Sequence, residues 1–99
     1  MKEFQAHIAE LYLEKDKRRG VERTFLWFME EVGELAEAVR RRDDRANLED
    51  EFADVQAWLA SLANLLDVEL AAVTARKYPE KCKRCGAKPC ACEETAVPL

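Results

Sequence analysis

Ninety-nine residues suffice for one domain with a small core, and a core of that size gives limited stability alone, which leaves room for a partner subunit or a structural metal. Hydrophobic residues make up 48% and charged residues 36%, with three glycines and three prolines, a balance that excludes a disordered or β-rich chain and favours a helical one. A net charge of −4 offers no basic field for a nucleic-acid backbone despite the run Arg40-Arg41-Arg42, and no apolar run approaches the ~20 residues of a membrane span.

The N-terminal Met1-Lys2-Glu3-Phe4 lacks the apolar stretch of a signal peptide, so a cytoplasmic protein is expected. From about Lys2 to Lys15 apolar residues recur at Phe4, Ile8 and Leu11 with helical spacing, and the charged stretch Asp16 to Gly20 is expected to form a loop. Between about Val21 and Arg42, Phe25, Phe28, Met29, Val32, Leu35, Ala36 and Val39 gather on one side of a long second helix. Asp43 and Asp44 can cap a third helix reaching about Leu66, whose stripe reads Leu48, Glu51, Asp54, Val55, Trp58, Leu62 and Leu65. Asp67 is expected to cap a fourth helix from Val68 to about Lys77, ended by Tyr78-Pro79 because proline disfavours helical geometry in the residue before it. The fold expected is thus an antiparallel four-helix bundle over 1–79, a cysteine segment over 80–92 and a flexible tail over 93–99.

Two carboxylates of the third helix, Glu51 and Asp54, sit where its stripe calls for apolar residues, and Glu31 and Glu34 form a matching pair on the second helix. Each pair is three apart, about one turn, and so shares a face. In an antiparallel hairpin, facing residues have a constant sum of residue numbers; the pairs 31/54 and 34/51 meet that condition if the turn centres near Arg42-Asp43. Four carboxylates brought together beside a core repel one another and lose hydration, unless protons or a cation neutralise them. All-oxygen ligands without histidine or thiolate favour magnesium or manganese, and magnesium shares its shell with water and phosphates. A solvated acidic face accounts for Glu30, Glu37, Glu49 and Asp50, which lie off the stripes.

At these residues the chain resembles the MazG-like nucleotide pyrophosphohydrolases, within the all-α NTP pyrophosphatase group that includes dimeric dUTPases and dCTP pyrophosphatases. The likeness is carried by Glu30-Glu31-Val32-Gly33-Glu34-Leu35, followed after sixteen residues by Glu51-Phe52-Ala53-Asp54, and covers about residues 1–79. It implies magnesium held by Glu31, Glu34, Glu51 and Asp54, and hydrolysis of a nucleoside triphosphate to monophosphate and diphosphate, including removal of non-canonical nucleotides. It implies two or more ions that bridge the phosphates and activate a water. Glu30 is the candidate water-activating base, whereas His7, beside Phe4 and Ile8, is read as a surface or packing residue. Lys77 matches a lysine that the family directs at phosphate, with Arg76 beside it; surface solvation is the competing account. Trp58 stands where the family places an aromatic near the base, with core packing as the competing account, and Trp27 is a further candidate for the same pocket. A homodimer or homotetramer is implied, since relatives assemble their helices into shared bundles. The departure comes after Lys77, where many relatives continue a basic helix and this chain turns to cysteines.

Cys82, Cys85, Cys90 and Cys92 crowd into eleven positions, with Gly86 permitting a tight turn. Four thiolates can close a tetrahedral structural zinc site; reduced thiols, disulfides and an iron–sulfur cluster are the alternatives. Nucleic-acid binding through Lys81, Lys83, Arg84 and Lys88 finds little other support in an acidic chain. Two further accounts stand beside the hydrolase: a non-catalytic helical module that binds through the knuckle, and the same fold acting on phosphoribosyl-ATP.

Overall fold

One glycine separates the first two helices. In the computed structural model, which describes residues 1–93, α1 spans Lys2–Arg19, α2 Val21–Arg41, α3 Arg45–Leu65 and α4 Leu70–Lys77. The described residues contain no strand, and α2 and α3 form the antiparallel hairpin at the centre of the fold, with α1 laid across α3. No single helix among them is long and apolar enough to cross a membrane. The tail expected over 93–99 lies, from residue 94 onward, outside the described residues.

The loop expected over Asp16 to Gly20 is not there: α1 runs through to Arg19, and Gly20 alone breaks the chain at φ 90° and ψ 164°, a backbone region open to glycine. Lysine and arginine are good helix formers, and Lys17, Arg18 and Arg19 occupy the last turn, where their charge complements the helix dipole. Asp16 does not break the helix because its side chain turns inward and pairs with Arg19.

The hairpin turn falls where the aspartates indicated. Arg42 closes α2 in the left-handed conformation at φ 58°, and the Asp44 carboxylate caps α3 by accepting from the Asn47 N–H at 3.1 Å.

The entry to α4 departs from expectation: Asp67 is left-handed at φ 56°, Glu69 occupies the N-cap and the helix begins at Leu70. Gln5 explains the delay. From α1 its Nε2 donates to the Val68 carbonyl at 2.7 Å and to Asn64 Oδ1 at 3.0 Å, while its Oε1 accepts from the Leu70 N–H at 2.9 Å. Held this way, Val68 stays outside the helix. Lys77 is the last helical residue before Tyr78-Pro79, as expected.

The fully buried apolar set is small, namely Ile8, Ala38, Ala60 and Ala63, and it is matched by buried polar residues Gln5, Asp16, Thr24 and Ser61. Part of the stripe expected to form the core of α2 lies outside: Phe25, Met29 and Val39 are exposed, as are Leu26 and Phe52 nearby. Eight-residue α4 packs on α1 and leaves that face uncovered within one chain.

Replacing Gln5 with alanine strands the Leu70 N–H and the Val68 carbonyl together. A loss of about 2–3 kcal/mol is expected, measurable as a lowered urea midpoint with an unchanged slope.

Candidate functional site

The hairpin register brings the paired carboxylates together. Glu31 from α2 and Glu51 and Asp54 from α3 each present a carboxylate oxygen, and these oxygens lie within 4.8 Å of one another. Glu34, one turn beyond Glu31 and exposed, faces the same group: its charge raises both Glu31 and Glu51. Burial is the first cause of the shift at Glu31, and the charge of Glu34 and a hydrogen bond with it come next, so its carboxyl is pushed up to about 7. Glu51 moves in the same direction, through burial first and then through Glu34, Asp54 and Asp50. One oxygen of Glu31, Oε2, is buried and has no hydrogen-bond partner.

A buried oxygen without a donor, among like charges, is what a cation would relieve. The donor set suits a hard divalent ion, since only carboxylate oxygens converge here. Glu30 is exposed and belongs to no converging group. His7 is exposed on α1.

Beside the carboxylates lies a pocket of about 310 Å³ between α1 and α3. Asp54, Ala57, Trp58 and Ser61 line it from one face of α3, and Tyr12, Lys15, Asp16 and Arg19 from one face of α1. Trp58 stacks on Trp27 with ring centroids 6.2 Å apart and planes 19° from parallel, so the two tryptophans meet across the hairpin. The Arg19 guanidinium sits 4.8 Å from the Trp58 ring centre. It is held by Asp16 Oδ1 at 2.7 Å and by the hydroxyl of Thr24, a fully buried residue, at 3.3 Å.

The α1 half of this pocket escaped the sequence reading, and one signal for it was available. Tyr12, Lys15, Asp16 and Arg19 stand at helical spacing, but a helix stopped at Lys15 hides that face. Lys77 does not line this pocket; with Arg76 it borders a cavity of about 760 Å³ shared with the cysteine segment.

The four thiols form a second converging group, their sulfurs within 4.8 Å of one another and none in a disulfide. Cys82 Sγ and Cys92 Sγ are 3.7 Å apart, far beyond a disulfide bond. That spacing is close to the ~3.8 Å edge of a tetrahedron with zinc–sulfur bonds of ~2.3 Å. A tight turn, with Gly86 N–H on the Cys82 carbonyl at 2.7 Å and Gly86 at φ 72°, folds the segment back on itself. Backbone N–H groups, those of Cys85 and Arg84 first, bring the Cys82 thiol down to about 6, and the Ala91 N–H lowers Cys85. Hydrogen bonds with Cys90 and Cys82 push the Cys92 thiol up to about 12, so the metal-free cluster shares its remaining protons. The segment fits a metal that takes thiolates.

Fold and site together define a helical hairpin protein with a cation-ready carboxylate group beside an aromatic pocket. The family model of the MazG nucleotide pyrophosphohydrolase domain matches residues 19–86, and the chain belongs to that family. The match takes in α2, α3 and α4 with Cys82 and Cys85, while all of α1 before Arg19 precedes it. The family is typically metal-dependent and its domain implies a nucleotide substrate. Comparison with curated proteins gave no match.

The raised carboxyl at Glu31 carries a pH signature. Its folded value of about 7 stands above the ordinary carboxyl value of 4.5, so the folded protein binds the proton more tightly than the unfolded chain. This group therefore favours the fold fully below pH ~4.5, and that contribution is lost as pH rises toward ~7. A cation must displace the same proton, so calorimetric titration with manganese should show affinity rising up to about tenfold per pH unit below pH ~7 and levelling above it. Glu31→Gln should flatten that slope; a slope that survives the change rules out Glu31 as its source.

Proposed function

We propose that the chain is a magnesium-dependent nucleoside triphosphate pyrophosphohydrolase, converting (d)NTP and water to (d)NMP and diphosphate. The observation that carries the reading is the meeting of three carboxylate oxygens, one each from Glu31, Glu51 and Asp54, within 4.8 Å of one another, with Glu31 Oε2 buried and without a hydrogen-bond partner among the described residues. Glu31, Glu34, Glu51 and Asp54 would hold the ion or ions. Magnesium, or manganese in its place, would supply charge neutralisation for the phosphates and a more acidic water.

The chain's own groups account for the rest. Glu31 gives up its proton when the site fills. Glu30, exposed next to it, is assigned as acceptor of the water's proton while the α–β anhydride is cleaved. Trp58, with Trp27 stacked on it, forms the aromatic wall for the nucleotide's base end. Lys77 stands with the cysteine segment in its own chain, so its contact with phosphate belongs to an assembly of two or four copies. Such an assembly would cover Phe25, Leu26 and Met29, an apolar face too large to leave wet without consequence.

The test is diphosphate release across canonical and non-canonical nucleotides with and without magnesium. Glu34→Gln should cost about 100-fold or more in kcat/KM, at unchanged fold by circular dichroism. A variant as active as the parent removes the mechanism.

We further propose that residues 1–79 form the hydrolytic unit and 80–92 a structural zinc knuckle closed by Cys82, Cys85, Cys90 and Cys92. A full thiolate shell leaves no open position for substrate. Protein purified under reducing conditions should carry one zinc per chain by elemental analysis. Cys85→Ser should lower that content while leaving the magnesium requirement in place; zinc-free native protein would reject the assignment.

A further inference from the structure

The pocket between α1 and α3 contains a buried carboxylate that the hydrolysis proposed above does not use. Asp16 is 1% exposed; its Oδ1 accepts from Arg19, and its Oδ2 is buried with no hydrogen-bond partner. Arg19 is just as unevenly used. Its Nη1 serves both Asp16 and Thr24, while Nη2 and Nε have no partner among the described residues. Three of its five N–H donors are therefore uncommitted, on a side chain 23% exposed. The same pocket contains Asp54, and from Asp54 to Ser61 its α3 wall rises about 10 Å. The cleft that holds the Asp16–Arg19 pair thus reaches Asp54, one of the metal-ready carboxylates.

We infer that this pair reads the edge of the substrate's nucleobase, with Asp16 Oδ2 accepting a base N–H and Arg19 donating to the adjoining carbonyl oxygen or ring nitrogen. The inference rests on the nucleotide reading and adds the residues that choose among nucleotides. Three observations favour a base over a phosphate here. An unshared carboxylate oxygen requires a donor, and a phosphate oxygen offers none and is repelled. The charge of Arg19 is already balanced by Asp16 at 2.7 Å, so the pair gives a polyanion no net attraction. Of the other lining residues, Trp58, Ala57 and Tyr12 are flat or apolar and suit a ring, Ser61 is a small hydroxyl, and the charge of Lys15 is matched by that of Asp54. Asp16 also positions Arg19, because the bond between them, with Thr24 behind, fixes the guanidinium over Trp58.

The experiment compares kcat/KM within the pairs dATP and dITP, dCTP and dUTP, in which an amino donor beside a ring-nitrogen acceptor gives way to a carbonyl acceptor beside a ring N–H donor. The wild type should favour one member of at least one pair by about tenfold or more. Asp16→Asn, whose amide can present an N–H where the unshared oxygen stood, should collapse or reverse that ratio. Arg19→Lys, which keeps the charge for Asp16 but loses the fork, should raise KM for the favoured substrate with kcat within about threefold. It also stands in if the Asn variant does not fold. Equal losses on every substrate would mark both residues as structural and overturn the inference, as would a preference set by ribose against deoxyribose.

A second measurement separates this result from the fate of the hydrolase reading. The chain has two tryptophans, both in the Trp27–Trp58 stack, so quenching of their fluorescence by phosphate-free nucleosides reports on this pocket. Base-selective quenching that Asp16→Asn alters supports base reading even if no triphosphate is cleaved. Nucleosides that quench equally, or not at all, overturn it whatever the hydrolytic activity.

Discussion

The structure turns on the register of one helical hairpin. Because α2 and α3 run antiparallel through the turn at Arg42 to Asp44, Glu31 meets Glu51 and Asp54, and Glu34 adds its charge to theirs. A helix advances 100° per residue, so a slip of one position would carry each acidic pair off the shared face. The left-handed cap at Arg42 and the Asp44 cap hold the turn and thereby hold the register. What they maintain is unfavourable in isolation. Glu31 escapes only by keeping its proton to near pH 7, and a cation is the other escape. The hairpin thus carries an electrostatic strain that a bound cation would remove.

A small polar interior makes that strain tolerable. Gln5, Asp16, Thr24 and Ser61 are buried where a larger domain would place aliphatic side chains, and the aliphatic core is reduced to Ile8 and three alanines. Gln5, Asp16 and Thr24 act as positioning devices in place of bulk. Gln5 sets the start of α4, and Asp16 and Thr24 direct Arg19 over Trp58. The bulky side chains of α2, Phe25 and Met29, stay outside. In the assembly proposed above, a further copy would cover this apolar area, and assembly and ligand would supply stability that the core alone lacks.

How much of this could be read from residues follows from the range of the forces involved. The carboxylate group was legible because two local patterns, each three residues apart, had to agree on one turn, and Asp44 does cap the helix there. The thiol group was legible because eleven residues of backbone cannot separate four cysteines very far. The end of α1 and the start of α4 were not. Asp16 has the composition of a loop, and only its burial against Arg19 and α3 keeps it helical. Asp67 has the composition of a cap, and only Gln5, more than sixty residues earlier, holds Val68 and Leu70 so that the helix starts later. Non-local contacts decided both.

The two metal-ready groups of this short chain differ in the kind of donor they offer. Carboxylate oxygens on helices are hard, and with Glu34 and Asp54 exposed they can leave room for water and phosphate, conditions that suit magnesium. The thiols, gathered by backbone N–H groups that lower Cys82 and Cys85, are soft and can complete a closed shell, which magnesium does not enter. Selectivity here comes from donor type before geometry is considered, so neither group needs the other excluded by distance. On the function proposed above, a fold with so slight a core would use one metal for shape and another for chemistry.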